Sequence, residues 1–145
     1  MAETTYTRTD RVYIDESGSD VYRQLKSGAN AQPEDAPFET FKDIFMLAAC
    51  LGFQNRRRIR TNKVDSEFRV SVFTEDDLSI LKALAIAETG DVDVLTRDGE
   101  ILAIAEEYAN AGIHEVKAYL MDEGGRSLWN LVNLFQSEAT LRIST

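Results

Sequence analysis

Phe41-Lys42-Asp43-Ile44-Phe45-Met46-Leu47-Ala48-Ala49-Cys50-Leu51-Gly52 is the stretch that decides the fold. Phe41, Ile44, Phe45, Ala48 and Ala49 recur at steps of three and four, which lays them along one face of an α-helix, and Gly52 marks the expected end. This is the central helix. Cys50, the one cysteine of the chain, reads here as a small core residue and has no partner for an internal disulfide.

Towards the N-terminus, Ser27 to Pro37 has too few apolar residues to pack and reads as a loop. Before it, Val21 to Lys26 is expected as a short helix, preceded by turn and N-cap chemistry in Asp15 to Asp20 and by a strand at Arg11-Val12-Tyr13-Ile14. Towards the C-terminus, Glu67 to Phe73 alternates as a half-buried strand does, with Val12–Ile14 or Arg58–Thr61 as its antiparallel partner.

Thr74 is an N-cap followed by acids, and the helix it opens carries Leu78, Leu81, Leu84 and Ala85 as far as Gly90. Asp91 to Leu95 is either extended or a brief helical turn. Glu100 to Ala111 sets Ile101, Ile104, Ala105 and Tyr108 on one stripe, leaves Glu106, Glu107 and Asn110 off it, and meets Gly112 as a C-cap. A separate helix is expected from His114 to Asp122, and a last one after Ser127 bearing Leu128, Leu131, Val132 and Phe135. Leu141 to Thr145 reads as a tail or edge strand.

The expected fold is therefore mainly α: a compact single-domain helical fold with room for a small antiparallel β-hairpin or sheet, α+β being the alternative. Its divisions are a flexible N-terminal segment (1–10), one helical domain (11–137) and a C-terminal tail (138–145). With 43% hydrophobic and 28% charged residues, the chain has the balance of a domain that buries its own core. The polar start, Met1 to Asp10, lacks an apolar signal region and no apolar run is long enough to span a bilayer, so the expected setting is cytoplasmic with no membrane partner.

The net charge of −9 opposes indiscriminate attachment to nucleic acid or anionic membrane, yet it is unevenly spread. Asn55-Arg56-Arg57-Arg58-Ile59-Arg60-Thr61-Asn62-Lys63 holds five basic groups and no acid, which leaves the rest of the chain more acidic still. Arg56, Arg57, Arg58, Arg60 and Lys63 are the candidate binding residues, towards nucleic acid or a protein partner. The forked donors of each guanidinium suit phosphate, but the acid-rich remainder makes protein contact or internal pairing the favoured reading.

Chemistry-bearing sets are sparse. A single histidine, His114, and a single cysteine supply neither a nucleophile with its base nor a tetrahedral zinc set, and no phosphate-cradling glycine loop occurs. Asp91, Asp93 and Asp98 lack the glycine and closing glutamate of a calcium loop. Asp98 with Glu115 and Lys117 has the residue types of a metal-dependent nuclease core and is the enzyme alternative. No catalytic residue, metal ligand or cofactor is assigned. Trp129, out of step with the stripe of its helix, is either a core ring or an interface anchor.

Ala36-Pro37-Phe38 running into Lys42–Phe53, then Leu84–Leu95 and Ile104–Ile113, together resemble the small accessory proteins associated with bacterial and archaeal DNA phosphorothioation (Dnd) systems, over roughly residues 11 to 135. The resemblance implies a defence setting, with larger modification or restriction proteins as partners and no catalytic motif to carry over. The expected function is that of a non-catalytic adaptor. A DNA-contacting module using Arg56–Lys63 is the alternative, and self-association is left open.

Overall fold

Asp15 makes the first corner among the described residues. In the computed structural model, which describes residues 10–28 and 32–144 and the side chains as far as Ser137, strand β1 (Arg11–Asp15) passes directly into helix α1 (Glu16–Leu25). Asp15 keeps extended backbone angles and its carboxylate accepts the Ser17 amide at 3.0 Å, so one residue ends the strand and caps the helix. Residues 1–9, the greater part of the expected N-terminal segment, lie outside the described residues.

Helix α2 (Phe41–Gln54) is capped by Thr40 and buries Ile44, Phe45, Ala48, Ala49, Leu51 and Gly52, the face that its periodicity marks. Gly52 lies inside this helix, two residues before its end. Strand β2 (Val64–Arg69) pairs antiparallel with β1, Val12 opposite Phe68 and Ile14 opposite Ser66, in a two-stranded sheet. The strand lies earlier than the expected Glu67–Phe73: it begins at Val64 and ends at Arg69, because Val70–Val72 forms a single 3-10 turn.

Helix α3 (Glu75–Thr89) starts with a complete capping box, Thr74 Oγ1 accepting from Asp77 N and Asp77 Oδ2 from Thr74 N, and stops at Gly90 in the left-handed conformation. A 3-10 turn at Val92–Thr96 settles the segment that periodicity left open. Helix α4 (Asp98–Leu120) then runs 23 residues without a break, and α5 (Ser127–Ser144) follows the turn at Gly124-Gly125.

The fold is mainly α with a small antiparallel sheet, as expected, but several local readings are corrected. Gly112 is no C-cap: it sits mid-helix, so the two helices expected at 100–111 and 114–122 are one, and His114 is an exposed mid-helix residue. A β-carbon at Gly112 would lie 1.7 Å from the Ala48 carbonyl oxygen, and one at Gly52 would lie 2.1 Å from the Tyr108 carbonyl oxygen. Both glycines are where α2 and α4 touch backbone to backbone, and that packing outweighs the poor helix propensity of glycine.

The second correction concerns α5, which continues to Ser144 where a tail is expected from residue 138; no glycine or proline interrupts it after Ser127. The third is the phase of its apolar stripe. Leu134 is buried while Phe135 and Trp129 are 55% and 57% exposed, so the face turned to the core is centred on Leu131 and Leu134 and leaves both rings outside. Cys50, read as a core residue, is half-buried, and burial pushes its thiol pKa up. Among the described residues no helix is long and apolar enough to cross a membrane.

A clamped cationic segment as candidate functional site

Helix α2 ends in a Schellman motif built on an arginine. The Arg57 amide donates to the Gly52 carbonyl at 2.9 Å and the Arg56 amide to the Phe53 carbonyl at 3.0 Å, with Arg56 at φ 56° between them. Glycine is the usual occupant, because a β-carbon in the left-handed region costs about 1–2 kcal/mol. Arg56 is the one positive-φ residue other than glycine among the described residues, and its guanidinium lies 5.0 Å from the centre of the Phe53 ring.

From there the segment runs extended along α4, and buried polar side chains fix its backbone. The Ile59 amide donates to the Glu107 carbonyl at 2.9 Å. Asn110, buried in α4, donates from Nδ2 to the Ile59 carbonyl and to Thr61 Oγ1, each at 2.9 Å. Further on, Asp15 Oδ1 accepts the amides of Asn62 at 2.7 Å and Lys63 at 2.9 Å. Burial raises the Asp15 pKa, but its hydrogen bonds from Ser17, Lys63 and Asn62 outweigh this and hold it at about 2.

The five basic side chains do not act alike. Arg58 turns inward: it forms ion pairs with Glu88 of α3 and Glu107 of α4, and its guanidinium stands 5.7 Å from the Tyr108 ring centre. Burial lowers its pKa and the two carboxylates raise it by more, so the net direction is upward. Lys63 reaches Glu16 at 3.7 Å and remains largely in solvent. Arg56, Arg57 and Arg60 are exposed and make no ion pair within 4.0 Å among the described residues. Arg57 is near enough to Glu115 to draw its carboxyl pKa down, although burial, the larger influence, leaves that pKa raised.

Periodicity missed the residues that clamp the segment. Asn110 and Glu106 fall off the apolar stripe of α4, yet they are 6% and 4% exposed. Glu106 Oε2 accepts the Tyr13 amide of β1 at 2.8 Å, which ties the sheet to the same helix that carries the segment. An uncharged Asn and an acid on the flanks of a strong stripe were the available signal, and only their partners 49 to 93 residues away give it meaning.

The nuclease constellation does not assemble. Asp98 opens α4 and Glu115 lies seventeen residues along the same unbroken helix, which at 1.5 Å per residue separates them by about 25 Å. They cannot share an ion. Glu115 instead accepts a hydrogen bond from Asn55 Nδ2, and Lys117 pairs with Asp122 at 3.3 Å. Among the described residues no three His, Cys, Asp or Glu side chains are grouped as a metal site needs.

The molecule is thus a small helical scaffold that holds a cationic segment in a fixed, extended form against its longest helix. The chain belongs to the family of DNA sulphur modification system-associated protein 4, whose family model matches residues 11–142. No curated protein and no solved structure matches it. Family membership links the protein to a DNA sulphur modification system.

Proposed function

We propose that the protein is a non-catalytic accessory subunit, an adaptor that docks on a larger modification or restriction protein of a prokaryotic, phage-defence DNA phosphorothioation system in the cytoplasm. The observation that carries this reading is the segment 55–63: its backbone is fixed by Asp15 and Asn110, while Arg56, Arg57 and Arg60 are left free of ion pairs among the described residues. A rigid display of guanidinium groups lowers the ordering cost of docking and directs approach to an acidic surface.

The alternative, a DNA-contacting module, draws on the same three arginines as phosphate donors. One experiment separates the two. The tagged protein is recovered from its native host with and without nuclease treatment, and co-purifying proteins are identified by mass spectrometry. Subunits of the sulphur modification system retained after nuclease are the expected result. Their loss with the nucleic acid would transfer the segment to DNA contact, and recovery of no such subunit would end the adaptor reading.

A further inference from the structure

We infer that the docking surface is the exposed stretch 56–60, with Ile59 as its apolar contact and Arg56, Arg57 and Arg60 as its charges, and that its occupant is an acidic protein segment presenting an apolar side chain. This rests on the adaptor reading above and specifies its contact. Ile59 is 41% exposed, an apolar side chain in the most cationic stretch of the chain. Its amide and carbonyl are both satisfied, by Glu107 and Asn110, so its backbone is locked while the side chain stays accessible.

The arrangement distinguishes two kinds of anion. Duplex DNA presents a continuous row of charge that would face the whole acidic chain, and three free arginines neutralise only a small part of it. Glu115, close to Arg57, adds negative charge beside the segment that neighbouring phosphates would meet, while Glu88 and Glu107 are engaged by Arg58. A short acidic protein segment places its charge only where the arginines stand. Ile59 has no role against phosphate oxygens, whereas an apolar contact beside arginine is the usual composition of a protein interface.

Arg56 separates stability from binding. It occupies a left-handed helix-terminal position that glycine fills with less strain, and its local contact is with the Phe53 ring. In Arg56→Gly the relief of strain offsets the loss of that contact, so the variant should melt close to the wild-type temperature and still bind less.

The test places a photoreactive phenylalanine analogue at position 59 of the full-length protein in the native host, with the same group at position 123, beyond the far end of α4, as the background control. Irradiation should crosslink position 59 to an acid-rich segment of a system subunit at least fivefold above position 123. In parallel, recovery of that subunit should fall at least fivefold for Ile59→Ser and for Arg56→Gly, both verified as folded by their melting curves. Crosslinking of position 59 to nucleic acid, or to protein no better than position 123, overturns the inference. So does undiminished recovery by both variants, while persistent recovery of the subunit leaves the adaptor reading standing; loss of all capture by the wild-type protein overturns both.

Discussion

Gly112 of α4 lies so close to Ala48 of α2 that a β-carbon on the glycine would stand 1.7 Å from the Ala48 carbonyl oxygen, inside any van der Waals contact. The obstacle is backbone, which cannot rotate aside as a side chain does. Gly112→Ala should therefore force the two helices apart along the centre of the core. Overpacking of this kind costs about 3 kcal/mol or more, equivalent to roughly 10 °C in Tm for a chain of this size. A melting curve within about 2 °C of wild type would show that the helices do not make this contact.

Asp15 gives the fold an acid-sensitive point. Its folded pKa of about 2 lies below the ordinary 3.8, so its contribution is complete above about pH 4 and is lost as pH falls towards 2. The difference corresponds to about 2 kcal/mol. Urea titrations between pH 5 and pH 2 should show Asp15→Asn already destabilised at pH 5, with a shallower further loss on acidification than wild type. Parallel loss in the two proteins would remove Asp15 as a source of the acid dependence.

Asn110 controls the order of the cationic segment from beneath. Replacing it with leucine removes both donors and leaves the Ile59 carbonyl without this partner, at a cost of about 1–3 kcal/mol. Amide hydrogen exchange should then quicken over residues 57–63 more than over the α2–α4 contact. Uniform acceleration across the chain would mean that Asn110 supports the whole fold and not the segment in particular.

Arg58 and Arg56 are adjacent in type and opposite in consequence. Arg58→Ala leaves Glu88 and Glu107 facing each other without their shared cation and should lower stability by about 1 kcal/mol, because the pairs are only partly screened from water. Arg58→Lys should restore only part of this, since one ammonium cannot reproduce the planar fork between two carboxylates. Urea midpoints of the two variants check it; equal stability of Arg58→Ala and wild type would make Arg58 a solvated residue like Arg60.

Glu106 reaches β1 through the backbone amide of Tyr13. Glu106→Gln keeps an acceptor for the Tyr13 amide and should be mild, whereas Glu106→Leu leaves that part-buried amide without this partner and should cost about 1–3 kcal/mol. Burial, and then the nearby Glu106, push the Tyr22 hydroxyl pKa up, so the phenol stays neutral well into the alkaline range in wild type. Thermal melts of the two variants decide the point: equal losses would show that volume, not the hydrogen bond, is what Glu106 contributes.

Much of this protein was legible residue by residue. Thr74, Gly90 and the stripes through Phe45 and Tyr108 identify their helices because capping chemistry and 3.6-residue periodicity are local properties, set within a few residues of chain. The pairing of β1 with β2 was one of two partners that the alternation allowed. The basic run was visible too, since composition needs no fold.

What only the tertiary structure decided lies in contacts between residues far apart in sequence. Gly112 reads as a helix stop until α2 is seen to press its backbone against it, and Glu106 and Asn110 stand only as residues off the apolar stripe until β1 and the segment 55–63 are found bonded to them. The same holds for the arginines. By sequence alone Arg56, Arg57, Arg58 and Arg60 are equivalent charges; Glu88 and Glu107, brought in from two other helices, commit Arg58 to the interior side of the segment and leave the others to face outward. The sequence by itself determined which groups could form helices or carry charge, and packing decided which of those groups were already satisfied, because a hydrogen bond or ion pair depends on distance in space and not along the chain.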